Sequence, residues 1–233
     1  MSASPSPEST SGNTTELPKL PHGFEWLKLV ASHYTGALDE NGEQHYNRVL
    51  AERQREASCK RCEKYRDWNL KYSPTVIFMR EQIERIGGQV GREHIICDHC
   101  DEYKAGGFNP SLGVLLCQNH VANRLHLEDT LAHELIHAYD EMKFHVDWTN
   151  LKHHACSEIR ASNLSGECRM TNEIFRRGQL KVTRQHQECV RRRAVLSVMG
   201  NPNCKDEETA KKAVAQVWDS CFNDTRPFDE IYR

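Results

Sequence analysis

The segment TLAHELIHAYD, residues 130–140, carries two histidines four positions apart, with a glutamate directly after the first. Positions i and i+4 share one face of a helix, so His133 and His137 can bind a single ion while Glu134 reaches a water molecule on it. Bound zinc would make hydroxide available near neutral pH, and Glu134 would take the proton of that water. The motif therefore predicts metal-assisted hydrolysis of a peptide bond.

A catalytic zinc ion needs a third protein ligand and keeps one position open. The extended motif with a third histidine fails, because Lys143 occupies that position. We expect Glu158 to be the third ligand, since it lies on the next predicted helix, in HHACSEIRASNL, whose small residues allow close approach to the motif helix. The alternatives that the residue types leave open are Asp140, His145, Asp147, His153 and His154. Asp140 also suits the role of a partner that orients a ligand.

The motif helix is predicted to begin between Leu127 and Thr130 and to end near Phe144. Two short strands, EHIICDHC and LGVLLCQN, precede it and are joined by the turn-rich loop KAGGFNPS. A strand in this place can pair its edge with an extended substrate, and Ala132 and Ala138 leave room beside the proposed site. These features favour a peptidase over a chance occurrence of the motif.

Helical signals dominate the rest of the chain. Ser73 is a good N-cap, Pro74 suits the first helical position, and Gly87 and Gly88 end that helix. Further helices are predicted near residues 43–57, 151–164, 169–177, 180–199 and 206–221. This order predicts an α+β, zincin-like fold with a small antiparallel sheet and a helical, disulfide-rich C-terminal part. We expect residues 1–21 to form a disordered tail and residues 22–233 a single domain.

The charge balance gives no global reason to expect nucleic acid as a partner, because the formal net charge is −2. The apolar runs, such as VIFM and VLLC, are far shorter than a segment that spans a bilayer. One segment, residues 176–193, concentrates basic side chains. It suits a solvated helix face, and the alternatives are attraction to an anionic membrane surface or to nucleic acid.

The chain has 10 cysteines but no apolar signal-peptide core in its N-terminal stretch MSASPSPESTSGNTTELPKLP. An even number of cysteines spread along the chain favours disulfides, which would pair all of them and leave no free thiol. The alternative is a structural zinc site, whose C-x₂-C and C-x₂-H spacing is supplied by Cys97, Cys100, Cys117 and His120. An oxidised protein without an export signal is therefore expected.

The segments IICDHC, GVLLCQN and AHELIHAYDEMKFHVDWTNLKHHACSEIRASNLSGEC closely resemble one family. It is the family of zinc metalloproteases of the mitochondrial intermembrane space that process and help assemble a membrane subunit of ATP synthase. The resemblance carries His133, Glu134 and His137 over as ligand, catalytic base and ligand, whereas Glu158 depends on the helix argument above. It implies one catalytic Zn²⁺ and a peripheral position on the intermembrane-space side of the inner membrane.

The resemblance also implies the partners. The implied substrate is the precursor of the mitochondrially encoded proton-channel subunit of ATP synthase, whose N-terminal extension is removed. A second implied role is that of a chaperone for the assembly of this subunit. Cysteine oxidation on import would explain the missing export signal, so the oxidative import machinery of the intermembrane space and the anionic inner-membrane surface are expected partners. No nucleic acid is expected.

Two other functions remain as alternatives. One is a DNA-associated metalloprotease, which combines a similar motif with a zinc ribbon and basic DNA contacts. In this chain the cysteine pairs precede the motif and the net charge is slightly acidic, which counts against that class. The other is a non-catalytic assembly factor that keeps zinc for stability. Glu134 argues against it, because a purely structural site needs no base.

Overall fold

A computed structural model describes residues 20–102, 104–169 and 182–229 of the chain. The expected tail falls outside these residues except for positions 20 and 21, and the helix expected at 169–177 falls outside except for Arg169. The chain separates into two compact units, Met1–Gln54 and Arg55–Arg233. All of the predicted site residues belong to the second unit, and a single domain over residues 22–233 stays a prediction.

Two helices build the described part of the first unit. Helix α1 spans Phe24–Tyr34, and α2 begins at Glu40 and continues past the unit boundary to Tyr72. The ring of Tyr46 on α2 stacks on His33 of α1, with 4.0 Å between centroids. The polar helix expected at 43–57 lies within α2, which is longer than expected. The reason is that no glycine or proline occurs between positions 42 and 74 to interrupt the helix.

Helix α3, Pro74–Arg85, begins as the sequence predicts. The Ser73 hydroxyl accepts a hydrogen bond from the Val76 backbone N–H, and Pro74 occupies the first turn. Its buried residues Met79 and Ile83 join the core beneath the sheet.

The sheet has three strands: β1 is Ile95–Asp98, β2 is Gly106–Asn109 and β3 is Gly113–Cys117. The order is β1-β3-β2, with β1 parallel and β2 antiparallel to β3. The α+β class is confirmed, but the sheet is mixed rather than antiparallel, because the segment expected to be a loop contains β2. The strand was not predicted because it begins with Gly106 and Gly107, and glycine has a low strand propensity. Consequently β3 is central, and β2 is the edge strand beside the motif helix.

Helix α4 carries the motif and spans Arg124–Phe144. It starts slightly earlier than predicted, because the Asn123 side chain caps it by accepting a hydrogen bond from the His126 backbone N–H. His145, with φ of 52°, ends it in the left-handed conformation. Helix α5 spans Leu151–Leu164, within the predicted bounds.

Two further helices, α6 (Val182–Met199) and α7 (Glu207–Phe222), pack on α5. Their shared core contains Ala155, Ile159, Val190, Val214 and Trp218. A second core, between α3, α4 and the sheet, contains Met79, Ile83, Leu116, Leu131 and Leu135. Helix α5 thus lies between the motif helix and the C-terminal helices. No helix of the described residues is long and apolar enough to cross a membrane.

Eight of the ten cysteines form disulfides, all within the second unit. The pairs are Cys62–Cys97, Cys100–Cys117, Cys156–Cys221 and Cys168–Cys189. Cys59 and Cys204 are free, so the expectation that all ten pair is wrong. The structural zinc alternative is also wrong, because the three cysteines that would have been its ligands are oxidised in two of these disulfides.

Candidate metal centre

Three side chains from α4 and α5 converge on one point. The Nε2 atoms of His133 and His137 are 3.0 Å apart. Glu158 Oε1 lies 3.3 Å from His137 Nε2, and Glu158 Oε2 lies 3.5 Å from His133 Nε2. All three residues are buried and could hold a metal ion between them. The structure therefore brings together the three residues that the sequence singles out as ligands.

The approach of α5 to α4 depends on small side chains, as expected. Ala161 and Ser162 are completely buried, and Ala161 belongs to the same core as Leu135 of α4. The Asn150 side chain fixes the start of α5 by accepting a hydrogen bond from the Lys152 backbone N–H, 3.0 Å away. Glu158 consequently projects into the site two turns along α5.

The alternative third ligands lie elsewhere or have other partners. His145, Asp147 and His153 are all exposed. The His153 Nδ1 atom accepts a hydrogen bond from the Asp147 backbone N–H, and the Asp147 carboxylate accepts one from the Thr149 backbone N–H. His154 lies 3.4 Å from Glu158 Oε1, but its Nδ1 contacts the Asn201 side chain. Asp140 is buried and pairs with neighbouring polar groups.

Asp140 is the end of a hydrogen-bonded row that starts at His137. His137 Nδ1 lies 2.7 Å from Ser157 Oγ, and this hydroxyl donates to Asp140 Oδ2 at 3.0 Å. Because Ser157 donates to Asp140, it must accept from His137, which places the proton on Nδ1 and leaves Nε2 free to bind an ion.

Arg160 binds Asp140, the last residue of this row, and also binds the segment that follows α7. Its guanidinium donates to Asp140 at 3.0 Å and contacts Asp224 Oδ1 at 2.8 Å. It also donates to the backbone carbonyls of Asp224 and Arg226. Its side chain is 2% exposed, so these bonds replace water around a buried charge. Burial raises the pKa of Asp140, against the attraction of Arg160.

His133 has its own partner, Glu167, in the turn after α5. Its Nδ1 lies 3.3 Å from Glu167 Oε2, and Arg193 Nη2 of α6 lies 2.6 Å from the same oxygen. Burial favours the protonated form of Glu167, but attraction by His133 and Arg193 outweighs it and lowers the pKa of this carboxyl. A carboxylate beside the outer nitrogen of a ligand histidine fixes the orientation of its ring.

The two glutamates nearest the convergence point differ in their tendency to ionise. Burial raises the pKa of Glu134, although His133 and His137 attract its charge. Burial also opposes ionisation of Glu158, but attraction by His137 and hydrogen bonds from the neighbouring histidines hold its pKa well below the usual range. Glu158 is therefore suited to remain a carboxylate, and Glu134 to accept a proton.

The convergence point opens into a cleft of about 780 Å³. One wall is β2, where a Cβ built on Gly106 would lie 3.3 Å from Glu134 Oε1. Helix α6 also lines the cleft and contributes Arg193 and the exposed Leu196. Trp148 closes one side, with its ring 5.6 Å from that of His137.

Several of these residues escaped the sequence analysis, namely Trp148, Ser157, Arg160, Glu167 and Arg193. Ser157 could have been noticed because it directly precedes Glu158 in the sequence. Arg160 lies two residues after Glu158, and arginine is rarely buried, so its burial was not expected. Arg193 belongs to the basic segment 176–193, but the sequence gave no reason to place it or Glu167 at the metal centre, because their contact depends on the packing of α6 on α5.

Comparison with known proteins finds one matching family and several similar proteins. The model of the peptidase M76 family matches residues 60–229. The mitochondrial inner membrane protease ATP23 of Yarrowia lipolytica is 58% identical over 214 residues, covering 92% of this chain and 86% of that protein. The proteins of the same name from Neosartorya fischeri (50% over 232 residues, 98% of each chain) and Saccharomyces cerevisiae Lalvin EC1118 (53% over 219 residues, 91% and 96%) are also similar. No solved structure matches.

Proposed function

The chain belongs to the peptidase M76 family and is a metallopeptidase, and from that premise we propose that it is a zinc endopeptidase at the intermembrane-space face of the mitochondrial inner membrane. The observation that carries the proposal is the convergence of two imidazoles and one carboxylate beside Glu134 in an open cleft. Similar proteins are named inner membrane proteases, which supports the location.

The donor set favours zinc over other common divalent ions. Ligand atoms around tetrahedral zinc, at about 2.0–2.2 Å from the ion, lie roughly 3.2–3.6 Å from each other. The separations of 3.0, 3.3 and 3.5 Å between the donor atoms of His133, His137 and Glu158 come close to this. Calcium and magnesium prefer sites made of oxygen alone. Two histidines and one glutamate also leave a fourth position for a water molecule.

Each residue of the site has a separate task in peptide hydrolysis. Zinc held there would lower the pKa of a bound water and polarise the peptide carbonyl. Glu134, whose pKa is raised by burial, accepts the proton of the attacking water and passes it to the leaving amine. Ser157 and Glu167 contact the Nδ1 atoms of His137 and His133, respectively, on the side of each ring away from the metal position. None of these groups has to move far during the reaction, which keeps the site preorganised.

The substrate peptide binds as an additional strand along the free edge of β2. One edge of this strand pairs with β3, and its other edge faces the cleft near Glu134. Backbone pairing accepts many sequences and holds the peptide extended, as an endopeptidase requires. Phe108 and Leu196 add apolar contacts on the two walls.

We propose that the substrate is the precursor of the mitochondrially encoded proton-channel subunit of ATP synthase, cleaved at its N-terminal extension. The resemblance of the segment from His133 to Cys168 supports this substrate. The four disulfides suit a compartment that oxidises proteins after import, which agrees with the oxidative import machinery as a partner. Attachment to the anionic membrane surface is peripheral. A chaperone role in the assembly of the subunit is the second part of the proposal.

The test uses Glu134→Gln, which keeps the shape of the side chain but removes the base. Purified zinc-loaded protein is incubated with the precursor, and ATP synthase assembly is followed in mitochondria that carry the variant. We expect cleavage to stop while zinc content and assembly are retained. The exposed Glu81 provides a control, because Glu81→Gln removes a carboxylate far from the motif in sequence and should cleave normally.

Other outcomes separate the competing functions. Normal cleavage by Glu134→Gln would contradict the assigned base, and loss of assembly together with cleavage would contradict the independent chaperone role. A non-catalytic assembly factor predicts no cleavage by the wild type. Membership of the M76 family argues against a DNA-associated metalloprotease. Of the basic segment at 176–193, positions 176–181 lie outside the described residues, and the absence of nucleic acid stays a prediction.

A further inference from the structure

One face of α6 lines the same cleft as β2. Its cleft-lining residues Arg193, Leu196 and Ser197 follow the spacing i, i+3 and i+4 of a single helix face, and Gly200, directly after the helix, also lines the cleft. The Arg193 side chain is 41% exposed, and Leu196 is 61% exposed. This face therefore offers one charged donor and one apolar side chain to whatever enters the cleft.

Arg193 is tied to the metal centre through one carboxylate. Glu167 Oε2 lies 2.6 Å from Arg193 Nη2 and 3.3 Å from His133 Nδ1. Both contacts are ion pairs, because among the described residues neither the buried His133 Nδ1 nor Glu167 Oε2 has a well-aligned hydrogen-bond partner. The carboxylate thus contacts the candidate metal ligand His133 on one side and the cleft-lining Arg193 on the other.

Arg193 has donors left over after it contacts Glu167. A guanidinium carries five N–H groups in a rigid plane, and the contact with Glu167 Oε2 is made through Nη2. Its Nε is buried and has no hydrogen-bond partner in the described part of the chain. A half-exposed guanidinium held in place by a buried carboxylate is well suited to bind an acceptor in the cleft.

An extended peptide supplies such an acceptor. Along a strand, backbone carbonyls point alternately to the two sides. When one side pairs with β2, the carbonyls between those pairs point away from β2 and into the cleft that Arg193 also lines. We propose that Arg193 binds one of these substrate carbonyls, and that Glu167 positions both Arg193 and His133. This inference rests on the proposed peptide-cleaving function of the cleft.

The row His133, Glu167 and Arg193 links peptide binding to the metal ligand. The carboxylate lies 3.3 Å from His133 Nδ1, and a carboxylate in this position favours one orientation of the ring. The same carboxylate holds the guanidinium at a fixed distance from the ring, so a peptide bound to Arg193 is placed in register with the metal centre. Lysine could not replace Arg193, because a single ammonium group lacks the planar fork that reaches two acceptors.

The test compares two inhibitors of the zinc-loaded protein, a leucine-containing dipeptide hydroxamate and acetohydroxamate. Both bind a metal ion through the hydroxamate group, but the dipeptide compound alone has a peptide carbonyl. In Arg193→Met, which removes the donors, we expect affinity for the dipeptide hydroxamate to fall roughly 10- to 100-fold, the value of a charged hydrogen bond. Affinity for acetohydroxamate should stay unchanged.

The matched control is Arg191→Met on the same helix. The Arg191 guanidinium lies 3.9 Å from the centre of the Trp218 ring, and Arg191 is not among the residues that line the cleft. The control loses the same charge and should bind both inhibitors like the wild type. For Glu167→Gln we expect faster loss of zinc to a chelator, by roughly 10- to 100-fold, and weaker binding of the dipeptide hydroxamate.

The possible results distinguish the inference from the function on which it rests. Unchanged affinity of Arg193→Met for the dipeptide hydroxamate, with normal binding of acetohydroxamate, would overturn the role of Arg193 alone. Equal weakening of both inhibitors would also overturn it, because the substitution would then have disturbed the metal centre. If neither inhibitor bound the zinc-loaded wild type, the proposed metal centre would be wrong and the inference with it.

Discussion

Gly106 is the point where β2 comes closest to the motif helix, and a single added methyl group tests the importance of that approach. A Cβ at Gly106 would lie 2.8 Å from Thr130 Cγ2 and 2.9 Å from the Leu115 carbonyl oxygen. Ordinary contacts between carbon atoms are about 3.5–4.0 Å. Because the Leu115 oxygen belongs to the backbone of β3, it cannot turn away like a flexible side chain. In Gly106→Ala the strand must therefore move away from α4.

The expected size of the effect follows from these distances. The contact with Thr130 is short by roughly 0.7 Å or more, and misplacement of about 1 Å costs on the order of 100-fold in rate. We expect kcat/KM of Gly106→Ala to fall about 10- to 100-fold, with unchanged zinc content. Overpacking should lower the free energy of unfolding by about 1–3 kcal/mol. Replacing glycine by alanine offsets about 0.4–1 kcal/mol of this loss, because alanine reduces the conformational entropy of the unfolded chain.

Two further variants make this prediction specific. A Cβ at Gly107 meets nothing within 4 Å, so Gly107→Ala is a control for stability and should unfold at or above the wild-type temperature. Thr130→Ser removes Cγ2 but keeps the hydroxyl that donates to the His126 carbonyl. Combined with Gly106→Ala, it should restore part of the lost activity. Wild-type stability and kcat/KM in Gly106→Ala, measured by thermal unfolding and precursor cleavage, would refute the close approach of β2.

Two other substitutions test the supports of the site. Arg160→Met leaves the buried Asp140 without its cation and should lower the unfolding free energy by about 3 kcal/mol at neutral pH in chemical denaturation. Because the unpaired carboxylate is neutralised by protonation, the deficit should shrink as the pH falls, and an equal deficit at all pH values would contradict this explanation. Replacing Cys156 and Cys221 by alanine opens a loop of 65 residues and should cost about 4 kcal/mol, whereas a loss below about 1 kcal/mol would indicate that the bond is not formed.

The sequence was most informative where neighbouring segments build the site. His133 and His137 lie one turn apart on a helix, so their shared direction follows from helical geometry alone. Glu158 could be chosen among the alternatives because small residues predicted a close approach of its helix. The bounds of α3 and α5 were predictable because local side chains, Ser73 and Asn150, cap them.

Features that depend on distant segments could not be predicted in this way. Strand β2 was hidden by Gly106 and Gly107, which are needed for packing on α4 but are poor strand formers. The parallel pairing of β1 with β3 follows from the insertion of this strand. Cysteine spacing does not determine pairing, so the free thiols of Cys59 and Cys204 were not foreseen.

The central claim is that His133, His137 and Glu158 together hold one zinc ion. X-ray absorption spectroscopy of the zinc-loaded protein, combined with measurement of the zinc content, tests it most directly. We predict one zinc per chain, surrounded by two imidazole nitrogens and by oxygen atoms at about 2.0–2.2 Å, and a loss of bound zinc in His137→Ala. Sulfur ligands at about 2.3 Å, or undiminished zinc in His137→Ala, would show that the ion is held elsewhere and would contradict the account.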